Sequence, residues 1–120
     1  MSEAKNRIRG RGPAHTRGVV RQFLTVREAS FLLQEPEMVV RRRLERGTLS
    51  LLGERRTADG RRHCRVCAAS LREALPTQLR GQRLLLLSLI LAGRFVVPAP
   101  AGRWGAPYPL ERALEAIRAA

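Results

Sequence analysis

The hydrophobic period of this chain changes at Gly47, and that change is the strongest constraint on its fold. Before Gly47 the apolar residues recur at helical spacing, and after it they alternate. Val26, Ala29, Leu32 and Leu33 fall at i, i+3, i+6 and i+7, one stripe of a helix. Thr25 stands at the N-cap with Glu28 three residues on, the spacing of a capping box that satisfies the first exposed N–H groups. Pro36 ends that helix because it lacks an amide hydrogen, yet it suits the first turn of another. The second helix is predicted from Glu37 to about Arg46, with Val40 and Leu44 inward and Gly47 as the residue that closes it. Leu49 and Leu51, then Cys64 and Val66, alternate with polar neighbours, and Asp59-Gly60 between them favours a tight turn. Residues 49–66 therefore read as a β-hairpin with Arg55, Arg56, Arg61 and Arg62 near its tip. A third helix carries Ala68, Leu71, Ala74 and Leu75 and stops at Pro76.

Charge narrows the partner. The chain has 120 residues, Lys+Arg 23 against Asp+Glu 10, a formal net charge of +13, and Lys5 is its one lysine. Charge this dense repels itself in a compact state and attracts a polyanion. A hydrophobic content of 44% excludes a purely disordered basic protein, while 4% aromatics leave little ring surface on which bases could stack. The arginines are clustered. Residues 41–65 hold nine against three acids, a net +6, and residues 1–22 hold Lys5 and five arginines against Glu3, a net +5. In residues 1–22, Arg7, Arg9, Arg11, Arg17 and Arg21 are interspersed with Gly10, Gly12, Pro13 and Gly18, and no apolar period supports a helix. This segment is expected to be a flexible basic arm that tracks phosphates or enters a minor groove; the simpler alternative is a solubilising tail.

Two short helices joined by about three residues, followed by a hairpin and a closing helix, are the order of a winged helix-turn-helix. Leu24-Thr25-Val26-Arg27-Glu28-Ala29, Leu32-Leu33, Val40-Arg41-Arg42, Leu44 and Gly47 resemble the excisionase-like, MerR-related DNA-binding domain. Arg61-Arg62-His63-Cys64-Arg65-Val66, Ser70-Leu71 and Ala74-Leu75 look like that family's basic second wing strand and closing helix. The resemblance covers residues 23–75. Gln34-Glu35-Pro36 replaces the Gly-Val-Ser usual at its turn, Val39 stands where Thr is common, Arg43 replaces a large packed residue such as Trp, and the hairpin is several residues longer. The expected class is mainly α with a small β-hairpin wing (α+β), organised as an arm (1–22), a winged helix-turn-helix (23–76) and a C-terminal helical extension (77–120).

A second helix laid in a major groove meets base edges near its start and phosphates along the rest. With Val40 and Leu44 inward, Met38, Arg42, Glu45 and Arg46 turn outward, Arg41 lies on the flank, and Glu37 remains accessible in the first turn. Arginine suits this task because its planar fork donates two parallel bonds to guanine or clamps a phosphate. The expected DNA-binding residues are thus Glu37, Met38, Arg41, Arg42 and Arg46, with wing residues Arg55, Arg56, Arg61 and Arg62 on backbone or minor groove. A solvated charge run is the competing account of Arg41-Arg42-Arg43.

His63, Cys64 and Cys67 have no further pair to close a zinc site, so Cys64 reads as a small core residue and no metal or cofactor is expected. No phosphate-binding glycine motif, paired carboxylates or Ser/His/Asp set points to an enzyme. The longest apolar run, Leu84–Ala92, falls short of a bilayer span, and the basic start does not read as a secretory signal, so a cytoplasmic, nucleoid-associated protein is expected. That run and the amphipathic Leu110, Ala113, Leu114 and Ile117 favour a homodimerisation or partner-docking module, a recombinase being one such partner. An intramolecular cap is the alternative. The leading expectation is sequence-specific binding of double-stranded DNA, as a transcriptional regulator or an excisionase-like recombination factor. The rivals are an antitoxin-like adaptor acting through the C-terminal helices and a non-specific RNA or nucleoid binder.

Overall fold

Pro36 and Gly47 bracket the second helix as the sequence requires. The computed structural model describes residues 21–56, 62–99 and 106–119. Helix α1 spans Val26–Leu33 and α2 spans Glu37–Arg46. The capping box is complete: the Glu28 amide donates to Thr25 Oγ1 at 3.1 Å, and the Thr25 amide donates to Glu28 Oε1 at 2.9 Å. α1 closes on Gln34 in the left-handed region, φ 56°, and α2 closes on Gly47 at φ 82°. Pro36 offers no side-chain cap; its carbonyl instead accepts from the Val39 and Val40 amides at the start of α2.

Strands β1 (Phe23–Leu24), β2 (Leu51–Arg56) and β3 (Arg62–Cys67) form an antiparallel sheet in the order β1-β3-β2. The hairpin pairs Glu54 with Cys64, Arg55 with His63 and Arg56 with Arg62, while Leu24 of β1 pairs with Val66. Residues 57–61, with the Asp59-Gly60 turn, lie outside the described residues. One detail departs from the alternation read in the sequence. Leu49 is buried, but Leu51 is exposed on the edge strand although it pairs with the buried Val66, and the register shifts just after it, between Leu51 and Gly53.

Helices α3 (Ala68–Ala74), α4 (Arg80–Leu91) and α5 (Leu110–Ala119) complete the described chain. Leu24, Phe31, Leu32, Val40, Leu49, Val66 and Leu71 are buried in one cluster that continues without a break into Leu86, Leu87, Ile90, Leu110 and Ala113. Position 76 is thus a turn in the path and leaves the core whole. Phe31 lies off the apolar stripe of α1, yet it is fully buried, with ring centroids 5.8 Å from Phe95 and 6.3 Å from Tyr108. Most apolar side chains of α4 and α5 therefore pack inward, on the intramolecular side of the two expectations. None of the described helices is long and apolar enough to cross a membrane.

Arginines secure this packing. Arg21 forms paired bonds to Glu28 at 3.2 and 2.9 Å and donates to the Ile90 carbonyl near the end of α4. Arg80 donates to the carbonyls of Leu75 and Arg72 at the end of α3. Arg83 donates to the Leu32 carbonyl at the end of α1. Three helix C-termini, each with carbonyls unmatched inside the helix and a partial negative charge, are met by a guanidinium. Arg21, counted with the arm by sequence, belongs to the fold.

Candidate nucleic-acid interface

The turn between α1 and α2 fixes the direction of α2. Ser30 Oγ donates to the Glu35 carbonyl, and the Glu35 carboxylate takes two bonds of 2.7 Å from Arg43. The hydrogen bond with Glu35 holds the Arg43 guanidinium above its ordinary range, outweighing the opposite effect of partial burial. Arg43 therefore ties α2 back to its own turn. Of the three consecutive arginines it is the one withdrawn from solvent.

The remaining face of α2 is open. Met38 is 63% exposed, Arg41, Arg42, Glu45 and Arg46 are exposed, and Glu37 is half-buried, as the helical period predicts. These residues divide into two rows four apart. Met38, Arg42 and Arg46 form a row without a carboxylate, and the Arg42 Nη2 lies 3.6 Å from the Met38 sulfur. Arg41 sits between Glu37 and Glu45 in the other row, so its field is diluted by both. Arg42 and Arg46 therefore carry the positive charge of this face that has no carboxylate four residues away, whereas Arg41 has one on each side.

On the hairpin, the register places Arg55, Arg56 and Arg62 at the end away from the core. Arg61 lies outside the described residues, as do Arg7, Arg9, Arg11 and Arg17 of the arm. Arg65 leans back over the Phe23 ring with its guanidinium carbon 4.8 Å from the centroid, an attraction that attaches β1 to β3. Among the arginines of residues 41–65, the structure thus separates Arg43 and Arg65, which fasten the fold, from Arg41, Arg42 and Arg46 on an open helix face.

Cys64 and Cys67 are free and half-buried, Cys64 packing against the core. No group of three His, Cys, Asp or Glu among the described residues could hold a metal ion. Arg83 is the polar group that the sequence reading passed over. The helical period does place it on the face of Leu86, Leu87 and Ile90, and this position inside an apolar stripe was the available signal. No family model, curated protein or solved structure matches the chain.

Proposed function

We propose that this protein binds double-stranded DNA in a sequence-specific manner, with α2 in the major groove and the β2–β3 hairpin against backbone or minor groove, in the way the excisionase-like, MerR-related winged helix-turn-helix does. The observation that carries this is the open row Met38-Arg42-Arg46 on a helix whose direction is fixed by the Glu35–Arg43 pair. An exposed arginine row on a rigid helix can be aimed at guanine edges, whereas arginines on an unfixed segment supply only general attraction. Basic residues at the hairpin end and in residues 1–22 add phosphate contacts beside it. In this reading the protein is a transcriptional regulator or a recombination accessory factor acting on the nucleoid. It pairs through what α4 and the following loop leave outside the core, Leu85 at 50% and Val96 at 82% exposure.

The test is a gel shift of the full chain on a duplex selected from a random library, with unrelated duplex and RNA as competitors. Replacing Arg42 and Arg46 with alanine should weaken the selected duplex at least tenfold, since one bidentate base contact is worth about 1–3 kcal/mol of discrimination. Weak binding to any duplex should survive and should fall steeply with salt. Equal binding to every duplex and to RNA, or an unaffected double variant, overturns the reading. Sedimentation of the same preparation reports pairing, and a monomer refutes it.

A further inference from the structure

A pocket of about 250 Å³ opens between the α1–α2 turn, the loop before α4 and the start of α5. Gln34, Gln78, Leu79, Arg83, Leu110 and Glu111 line it. Its inner wall is cationic. Arg83 is only 5% exposed; its Nε donates to the Gln78 carbonyl at 2.9 Å and its Nη1 to the Leu32 carbonyl at 2.7 Å. Among the described residues its Nη2 has no acceptor, and no carboxylate lies within 4 Å of the guanidinium. Desolvation pushes its charged form down in stability, and the more distant Glu35 carboxylate offsets this in part. A buried cation with an unused donor calls for an anion.

A second observation points the same way. Leu79, the N-cap of α4, adopts a left-handed conformation at φ 53° that is rare for a branched side chain, and it offers no capping oxygen. The first turn of α4 holds no acidic residue, so the positive end of the helix dipole beside the pocket is also uncompensated. The lining is not cationic throughout. Glu111, exposed in the first turn of α5, contributes a carboxylate, and Leu79 and Leu110 supply apolar surface for a short aliphatic chain. The site is held open by Gln34, whose Nε2 donates to the carbonyls of Phe31 and Tyr108 while its Oε1 accepts from the Leu110 amide. Every polar atom of that side chain is satisfied, so Gln34 is wall rather than ligand.

We propose that this pocket binds a small amphoteric molecule, in the simplest case an aliphatic α-amino acid, with the carboxylate on Arg83 and the ammonium toward Glu111. The volume lies below the roughly 300–1,000 Å³ of pockets for drug-sized ligands, as suits a small metabolite. The proposal stands whether or not α2 meets DNA.

Calorimetry on the full chain with L-leucine, isocaproate and isoamylamine tests it, because the three share one aliphatic skeleton and differ in the charges they keep. L-leucine should bind with a Kd between micromolar and millimolar, and each singly charged analogue at least tenfold more weakly. Amide NMR signals of Gln34, Leu79 and Leu110 should move on addition of L-leucine. Glu111→Gln, at an exposed position, should preserve the fold and reduce the affinity for L-leucine to that for isocaproate; Arg83→Lys should abolish binding if the variant folds. Absence of heat and of signal shifts at millimolar L-leucine overturns the proposal. So does equal binding of the three compounds, or an unaltered affinity in Glu111→Gln.

Discussion

Glu28 shows how a single side chain can join local and long-range structure. One of its carboxylate oxygens accepts from the Thr25 amide and closes the capping box, and both engage Arg21, which in turn reaches the Ile90 carbonyl. Thr25→Ala removes only the cap and should cost about 1 kcal/mol in urea unfolding. Glu28→Ala should cost more, because it also releases Arg21 and with it a tie between α1 and α4; equal losses would show that the Arg21 contact contributes nothing. The capping box was legible in the sequence because both partners lie within three residues. The Arg21–Ile90 contact was not, since it joins positions 69 apart and no local pattern encodes it. Arg43 makes the same point: a run of three arginines looks uniform as text, and only the fold gives Glu35 to the third.

α2 was legible down to its end residues and α1 at its start, because Thr25, Pro36 and Gly47 act at their own positions; that α1 closes earlier, on a left-handed Gln34, was not, since such a conformation is uncommon for a residue other than glycine. α4 was legible only as an apolar run. Its inward face, with Leu86, Leu87, Ile90 and Leu91, became definite only once α1 supplied the surface it covers. Ile90→Ala should therefore cost about 2–5 kcal/mol, the range for opening a cavity in a packed core. Leu85→Ala, five residues earlier on the open side, should cost little within one chain, so a cost above about 0.5 kcal/mol would come from the pairing proposed above. Denaturant midpoints of the two variants at several protein concentrations check this, and a large loss at Leu85 that does not vary with concentration would mean that it is covered within the chain. The exposed Leu51 has the same kind of cause: strand alternation predicts a face, but β2 is an edge strand, and what covers the outer end of such a face is set by the tertiary fold and not by the strand's own pattern. The candidate recognition row on α2 was legible because helix period alone sets which residues point away from Val40.

The core joins residues before and after Pro76 into one cluster, from Leu24 to Ala113. The full chain should unfold in a single transition reported identically by far-ultraviolet circular dichroism and by the near-ultraviolet signal of Tyr108, whose ring packs on Phe31. A chain ending at Pro76 would expose Phe31, which Phe95 and Tyr108 cover, and should lack the dispersed amide spectrum of a folded protein. A well-dispersed spectrum from the shortened chain would show that the first helices and the hairpin sustain themselves.

A shared core also governs how such a protein can change over generations. Where a reading head folds by itself, it can be cut from one gene and joined to another, and new specificities arise by exchange of whole modules. Here the surface that orients α2 rests on Phe31, and Phe31 rests on Phe95 and Tyr108. Any exchange at position 76 would have to bring matching aromatic partners with it. Substitution in place escapes that coupling where a side chain stands clear of the core, as on the open face of α2.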